Sequence, residues 1–246
     1  MDQARTALRA ADDHEHAAEA EILLARAHWE HGRRDAADTH LAHAEELAGG
    51  GAPSDAKAHV LAVAGRLRLL GGDSEEGLRI AGDAMAIAEA LSLDELRAHS
   101  LGTIGLAKER LGDPTCIDDL EASYELALAV NSPIASHAAN NLGVVRWNQG
   151  DVESWRALIS DSRRLAERFG DTTSIRWGDG QLIIEEYSSG LWDEALSGAD
   201  QFIADCEAGR PHYLESLARA ARSAIRLARG DPAGHSTTSP YACPWS

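Results

Sequence analysis

Histidines pose the first chemical question in this chain. Of its 11 histidines, six fall as three close pairs near the N-terminus: His14 with His16, His28 with His31, and His40 with His43. The last two pairs have the i, i+3 spacing that puts both imidazoles on one helix face, and imidazole nitrogens are common zinc ligands. Asp38 and Glu45 are near enough in sequence to complete such a set. A zinc site normally needs buried groups behind its ligands, whereas histidines on a polar helix face are ordinarily solvated. The run is therefore read as a solvated surface with no metal and no cofactor, and a metal-dependent enzyme built on it is the weakest of three functional readings.

The other spacings that carry chemistry are missing. The sequence contains no GxxxxGK[ST] phosphate loop, no GxGxxG, no HExxH and no GxSxG. The glycine-rich GDGQ at Gly178 to Gln181 falls in a predicted helix, not in a strand-to-helix turn. Cys116, Cys206 and Cys243 are far apart and form no CxxC pair, which points to reduced thiols, not to a disulfide framework or a zinc knuckle. The expectation is a protein without catalytic residues.

The elements that position these residues are set by a rhythm of glycines. Gly32, Gly72, Gly112, Gly150, Gly190 and Gly230 each close an apolar-periodic stretch, and their successive differences are 40, 40, 38, 40 and 40 residues. A fixed period of that size marks stacked helical pairs, each burying its apolar face against its neighbours. First helices are predicted at about 13 to 31, 54 to 70, 94 to 111, 134 to 149, 173 to 189 and 212 to 229. Second helices are predicted at about 33 to 48, 74 to 91, 115 to 130, 152 to 169 and 192 to 207. The turns within pairs read as a helix-ending glycine followed by a capping residue, as in GGDSE, LGDPT and QGDVE. Short linkers between pairs force antiparallel neighbours, and the Gly49 to Pro53 run stands out as a hinge candidate.

Composition agrees with an all-α chain and excludes several partners. Hydrophobic residues make up 44% of the 246, with only 2 Phe and 4 Tyr, and Ala and Leu dominate over strand-forming types. The formal charge of −17 and a pI near 5.0 oppose attraction to nucleic acid or anionic lipid. No apolar run approaches the length of a membrane span, and the start lacks the apolar core of a signal peptide, so a cytoplasmic location is expected. The expected layout is one repeat domain over residues 1–231 and a disordered tail over 232–246. The repeat starts and ends in mid-unit, as a piece of a longer protein would.

Within the units the residues resemble the tetratricopeptide (TPR) family. NNLGVVRWNQGD at Asn140 to Asp151 has a Leu-Gly pair seven residues ahead of a Gly-Asp turn, IGLAKERLGD repeats the pattern from Ile104, and AGRLRLLGGD repeats it from Ala64. The fold implied is a right-handed α-solenoid of TPR-like hairpins with a period of about 40, longer than the usual 34 of the family. Gly65, Gly105 and Gly143 would sit where the two helices of a pair cross closely, so that Gly143→Leu overpacks the junction; the fifth unit departs, with Ile183 at that point. The run from His99 to Asp151, with the WDEAL and AGRPHYLE segments, is also similar to helical-repeat regions of actinobacterial class III adenylate/guanylate cyclase-like AAA ATPases and of LuxR- and SARP-type regulators.

In TPR arrays the first helices line a concave face, and the resemblance implies which residues point into it here. His59, His99, His137 and Trp177 form one ladder, with Arg66, Arg110, Asn140, Arg146, Trp147 and Tyr187 deeper in the groove. Arg, Asn and aromatic groups suit an extended peptide. The leading reading is a non-catalytic protein-interaction or regulatory module of a larger bacterial signalling or transcription-regulatory protein. Its partner is a protein, a peptide or another domain of the same polypeptide, with self-association through the uncapped ends. The rival reading is a sensor holding a small ligand in a pocket lined by Arg66, Arg110 and Trp147.

Overall fold

The computed structural model describes residues 13–50 and 52–231, and among these every regular element is a helix. Five hairpins follow one another. They are α1 (His14–Glu30) with α2 (Arg34–Ala48), α3 (Asp55–Leu70) with α4 (Ser74–Ala90), α5 (Asp94–Arg110) with α6 (Cys116–Ala129), α7 (Ile134–Asn148) with α8 (Val152–Phe169), and α9 (Thr172–Ser188) with α10 (Trp192–Glu207). A single helix, α11 (Glu215–Ala228), comes last. These spans match the sequence expectation within a residue except at the start of α11, where a turn over 212–214 precedes the helix and the Glu215 N–H donates to the His212 carbonyl at 3.0 Å. The expected half-helix before residue 12, the tail from Pro232, Cys243 and Trp245 lie outside the described residues, as does Gly51 in the expected hinge.

The glycine rhythm has a direct backbone cause. All six periodic glycines take positive φ, from 71° at Gly32 to 101° at Gly72, the left-handed conformation that ends a helix without a Cβ penalty. The aspartates that follow start the next helix, Asp73 accepting from the Glu76 N–H and Asp151 from the Ser154 N–H, both at 3.1 Å.

The chain divides into two compact units. One comprises the segment up to Trp29 with Arg33–Asp171, and the other comprises Thr172 onward with Glu30–Gly32. In the first, α3 packs against α5 and α5 against α7, while α4 and α6 pack on their own and the following first helices and α8 packs on α7. Among the described residues these second helices make no comparable contact with one another. The side-by-side contacts of α3, α5 and α7 make these first helices one continuous layer of the first unit. In the second unit, Ile183, Phe202, Ile203, Leu214 and Ala218 close a core among α9, α10 and α11.

The small residues of the Leu-Gly motif do not all mark equally tight crossings. A Cβ on Gly65 would lie 2.9 Å from the Ala81 nitrogen and 3.1 Å from the Gly77 carbonyl, and one on Gly105 would lie 2.6 Å from Leu120 Cγ. At Gly143, which is buried against α8 as expected, the corresponding contacts are 3.5 Å to Ile159 and Leu158 and 3.6 Å to Trp155. The crossing there is wider than the motif predicts, because it is filled by large side chains of α8 rather than by backbone. The fifth pair reaches close approach from the opposite side: Ile183 stays, and Gly198 on α10 supplies the gap, with a Cβ there 3.1 Å from Ile183 Cγ1. Among the described residues, no helix is long and apolar enough to cross a membrane.

Candidate functional site

Repetition puts one residue type at one place on successive first helices. His59 on α3, His99 on α5 and His137 on α7 are separated by 40 and 38 residues, the same offsets as Gly72, Gly112 and Gly150, so they occupy equivalent positions across the layer of first helices in the first unit. The structure brings these three together with Arg66 of α3 and Arg26 of α1. All four neighbours act electrostatically on His99.

His99 forms the floor of this cluster. It keeps some solvent contact, yet loss of hydration pushes it down to about 3, with the nearby Arg66, His137, His59 and Arg26 adding to the shift. At neutral pH the ring is therefore uncharged and offers one N–H donor and one acceptor. Its backbone carbonyl accepts from Thr103 Oγ1 at 3.3 Å, which ties it to the next turn of α5. At the α7 end, His137 Nε2 lies 3.3 Å from Asp171 Oδ2. One turn along, Asn140 is 4% exposed and its Oδ1 has no hydrogen-bond partner, and next to His99 the hydroxyl of fully buried Ser100 has none either.

The remaining groove candidates are engaged in holding helices together. Arg110 donates to the Leu69 carbonyl, bridging α5 to the end of α3. Arg146 pairs with Glu121 at 2.6 Å, and Trp147 packs on Trp155 with ring centroids 4.9 Å apart. Trp177 belongs to the second unit, where it packs on the core around Ile183 and Phe202, while Tyr187 is 37% exposed near the end of α9. A cavity of about 480 Å³ opens elsewhere, among α1, α2 and α3, lined by Ala18, Leu47, Lys57 and Val60 and not by Arg66, Arg110 or Trp147.

Sequence reasoning missed Arg26, although the signal was present: it precedes Arg66 by the same 40 residues that separate His59 from His99. It also missed Glu21. The carboxylate that meets His40 and His43 comes from α1, with Glu21 Oε2 2.7 Å from His40 Nδ1 and 3.8 Å from His43 Nδ1. The expected completing residues go elsewhere, since Glu45 pairs with Arg68 and Asp38 is exposed.

The two described cysteines are buried, and burial raises both thiols above their ordinary value. A raised thiol holds little thiolate at neutral pH and makes a poor nucleophile. The cluster of the first unit thus sets Arg26 and Arg66 beside an uncharged His99.

No family model matches the chain, and no curated protein sequence matches it. Solved structures do. The chain is similar to aspartyl phosphate phosphatase F from Bacillus subtilis, with a TM-score of 0.56 at 14% identity over 98% of this chain and 66% of that one. It is similar to a STAND signal-transduction ATPase with a tetratricopeptide repeat sensor from Pyrococcus horikoshii, TM-score 0.52 at 13% identity over 87% of this chain and 33% of that one. It is also similar to the TPR-like repeats of a kinesin light chain from Podosopora anserina, TM-score 0.50 at 14% identity over 71% and 88% of the two chains. At such identities the likeness shows the fold, a TPR-like helical-repeat solenoid.

Proposed function

We propose that this chain is a non-catalytic protein-interaction module of a larger bacterial signalling or transcription-regulatory protein, and that the first-helix face of its first unit receives an acidic peptide segment. The observation that carries the reading is a local inversion of charge. A chain of formal charge −17 gathers two arginines, Arg26 and Arg66, with His59 and His137 around one desolvated histidine on the face formed by the first helices. Clustered cationic groups beside low-dielectric walls favour the approach of opposite charge. An extended peptide adds backbone groups that donate and accept alongside its carboxylates. The neighbours lend support at the level of fold, one of them carrying its TPR region as a sensor within a larger ATPase.

The test uses a fluorescein-labelled decapeptide alternating Glu and Leu, its Gln-for-Glu counterpart, and fluorescence anisotropy at two salt concentrations. The acidic peptide should bind at least about tenfold more tightly than the Gln peptide, weaken with salt, and lose about tenfold or more in Arg26→Ala/Arg66→Ala. Equal binding of both peptides, or a double variant that binds like the parent, would remove this reading.

A further inference from the structure

We infer that the first hairpin carries a zinc site made by Glu21 of α1 with His40 and His43 of α2. The three ligand atoms lie within 4.8 Å of one another, and nothing in the peptide-binding reading uses them.

Three observations converge on a divalent cation. Glu21 is fully buried, and a carboxylate withdrawn from water needs positive charge beside it. Two imidazoles one helical turn apart present Nδ1 atoms to the same carboxylate oxygen, at 2.7 and 3.8 Å. A tetrahedral zinc ion with bonds of about 2.0–2.1 Å separates its ligand atoms by about 3.4 Å, so one contact opens and the other closes by less than about 1 Å when the ion enters. Finally, the His40 ring is held in place, stacked on His28 with centroids 5.1 Å apart and planes 5° from parallel. A ligand whose orientation is fixed beforehand loses less freedom on binding.

Two nitrogens and one carboxylate oxygen suit zinc better than magnesium or calcium, which prefer sets made wholly of oxygen. His43 Nδ1 is buried and has no hydrogen-bond partner, although the side chain as a whole is 38% exposed, so a ligand nitrogen is left unsatisfied at the site. The ion would clamp α1 to α2 across the first hairpin.

Zinc chloride titrated into the whole chain, followed by calorimetry and by thermal unfolding with and without chelator, tests the site. The expected result is one equivalent bound with a Kd below about 10 µM and a chelator-reversible rise in unfolding temperature. His40→Ala, His43→Ala and Glu21→Gln should each weaken binding by about tenfold or more, while His16→Ala on the exposed start of α1 leaves it unchanged. Because Glu21→Gln alters a buried position, circular dichroism accompanies it, and the half-exposed His43→Ala decides the matter should the glutamine variant unfold. No equivalent bound at about 100 µM zinc, or binding retained in His43→Ala, or binding lost in His16→Ala, overturns the site.

Discussion

At the scale of residues, the small side chains at helix crossings divide into those that are required and those that are tolerated. Gly65 faces the backbone of α4, which cannot step aside, and Gly105 faces Leu120, which is itself fully buried. Gly65→Ala and Gly105→Ala should therefore each destabilise by roughly 1–3 kcal/mol through overpacking. Gly143 has room for a methyl at ordinary contact distance, and alanine is the better helix former by up to about 1 kcal/mol. Gly143→Ala should be neutral or stabilising, while the bulkier Gly143→Leu still overpacks. Urea denaturation of the alanine variants separates the cases, and equal losses at all three positions would contradict the crossing distances. The motif showed that a small residue recurs; whether backbone or a flexible side chain stands opposite depends on the partner helix.

At the scale of elements, α11 comes last of the described helices and packs on two others. Its apolar side, Ala218, Ala221 and Ile225, is buried, but Leu227 near its end is 57% exposed and, among the described residues, its packing comes from α9 and α10. Much of its remaining attachment is ionic and exposed: Arg222 and Arg226 to Asp200, Arg219 to Glu207, and Arg229 to Asp193. Pairs of this kind contribute little each and weaken with salt. By contrast α5 lies between α3 and α7 and packs on α4 and α6 as well. Hydrogen exchange should therefore show protection lost first from about residue 212 onward, and sooner at high salt, with α5 to α7 the slowest. Uniform protection along the chain would show that α11 is covered as well as the central helices are.

At the scale of the whole molecule, two histidines make stability fall in acid. Burial, with Arg176 nearby, pushes His212 down to about 4, and His99 lies at about 3, both from an ordinary value of 6.5. A base depressed in the folded state binds its proton more readily when unfolded. The stabilising contribution is therefore complete above about pH 6.5 and is lost as pH falls toward 4 for His212 and 3 for His99. For His212, which is 6% exposed, the whole effect is roughly 3 kcal/mol. Over the same range the net charge shrinks toward the isoelectric point near 5.0, so unfolding and loss of solubility should coincide. Unfolding temperatures measured from pH 8 to 5 should decline below about 6.5, with a shallower slope in His212→Gln; a flat profile, or an unchanged slope in the variant, would show that His212 is not held neutral.

Periodicity along the chain determined the helical-repeat class, the helix bounds and the turn glycines, because a left-handed helix stop and a following cap are local properties that repeat with each unit. It also made His59, His99 and His137 legible as one set, since equal offsets imply equivalent positions in a stack. Tertiary structure alone decided what stands opposite each residue. It joined Glu21, and neither Asp38 nor Glu45, to His40 and His43, placed Trp147 against Trp155, and moved the small residue of the fifth pair from the position of Ile183 to Gly198. Contacts between helices depend on the axial offset and crossing angle of two elements, and these are set by the packing of both faces together, which the pattern of either helix alone does not contain.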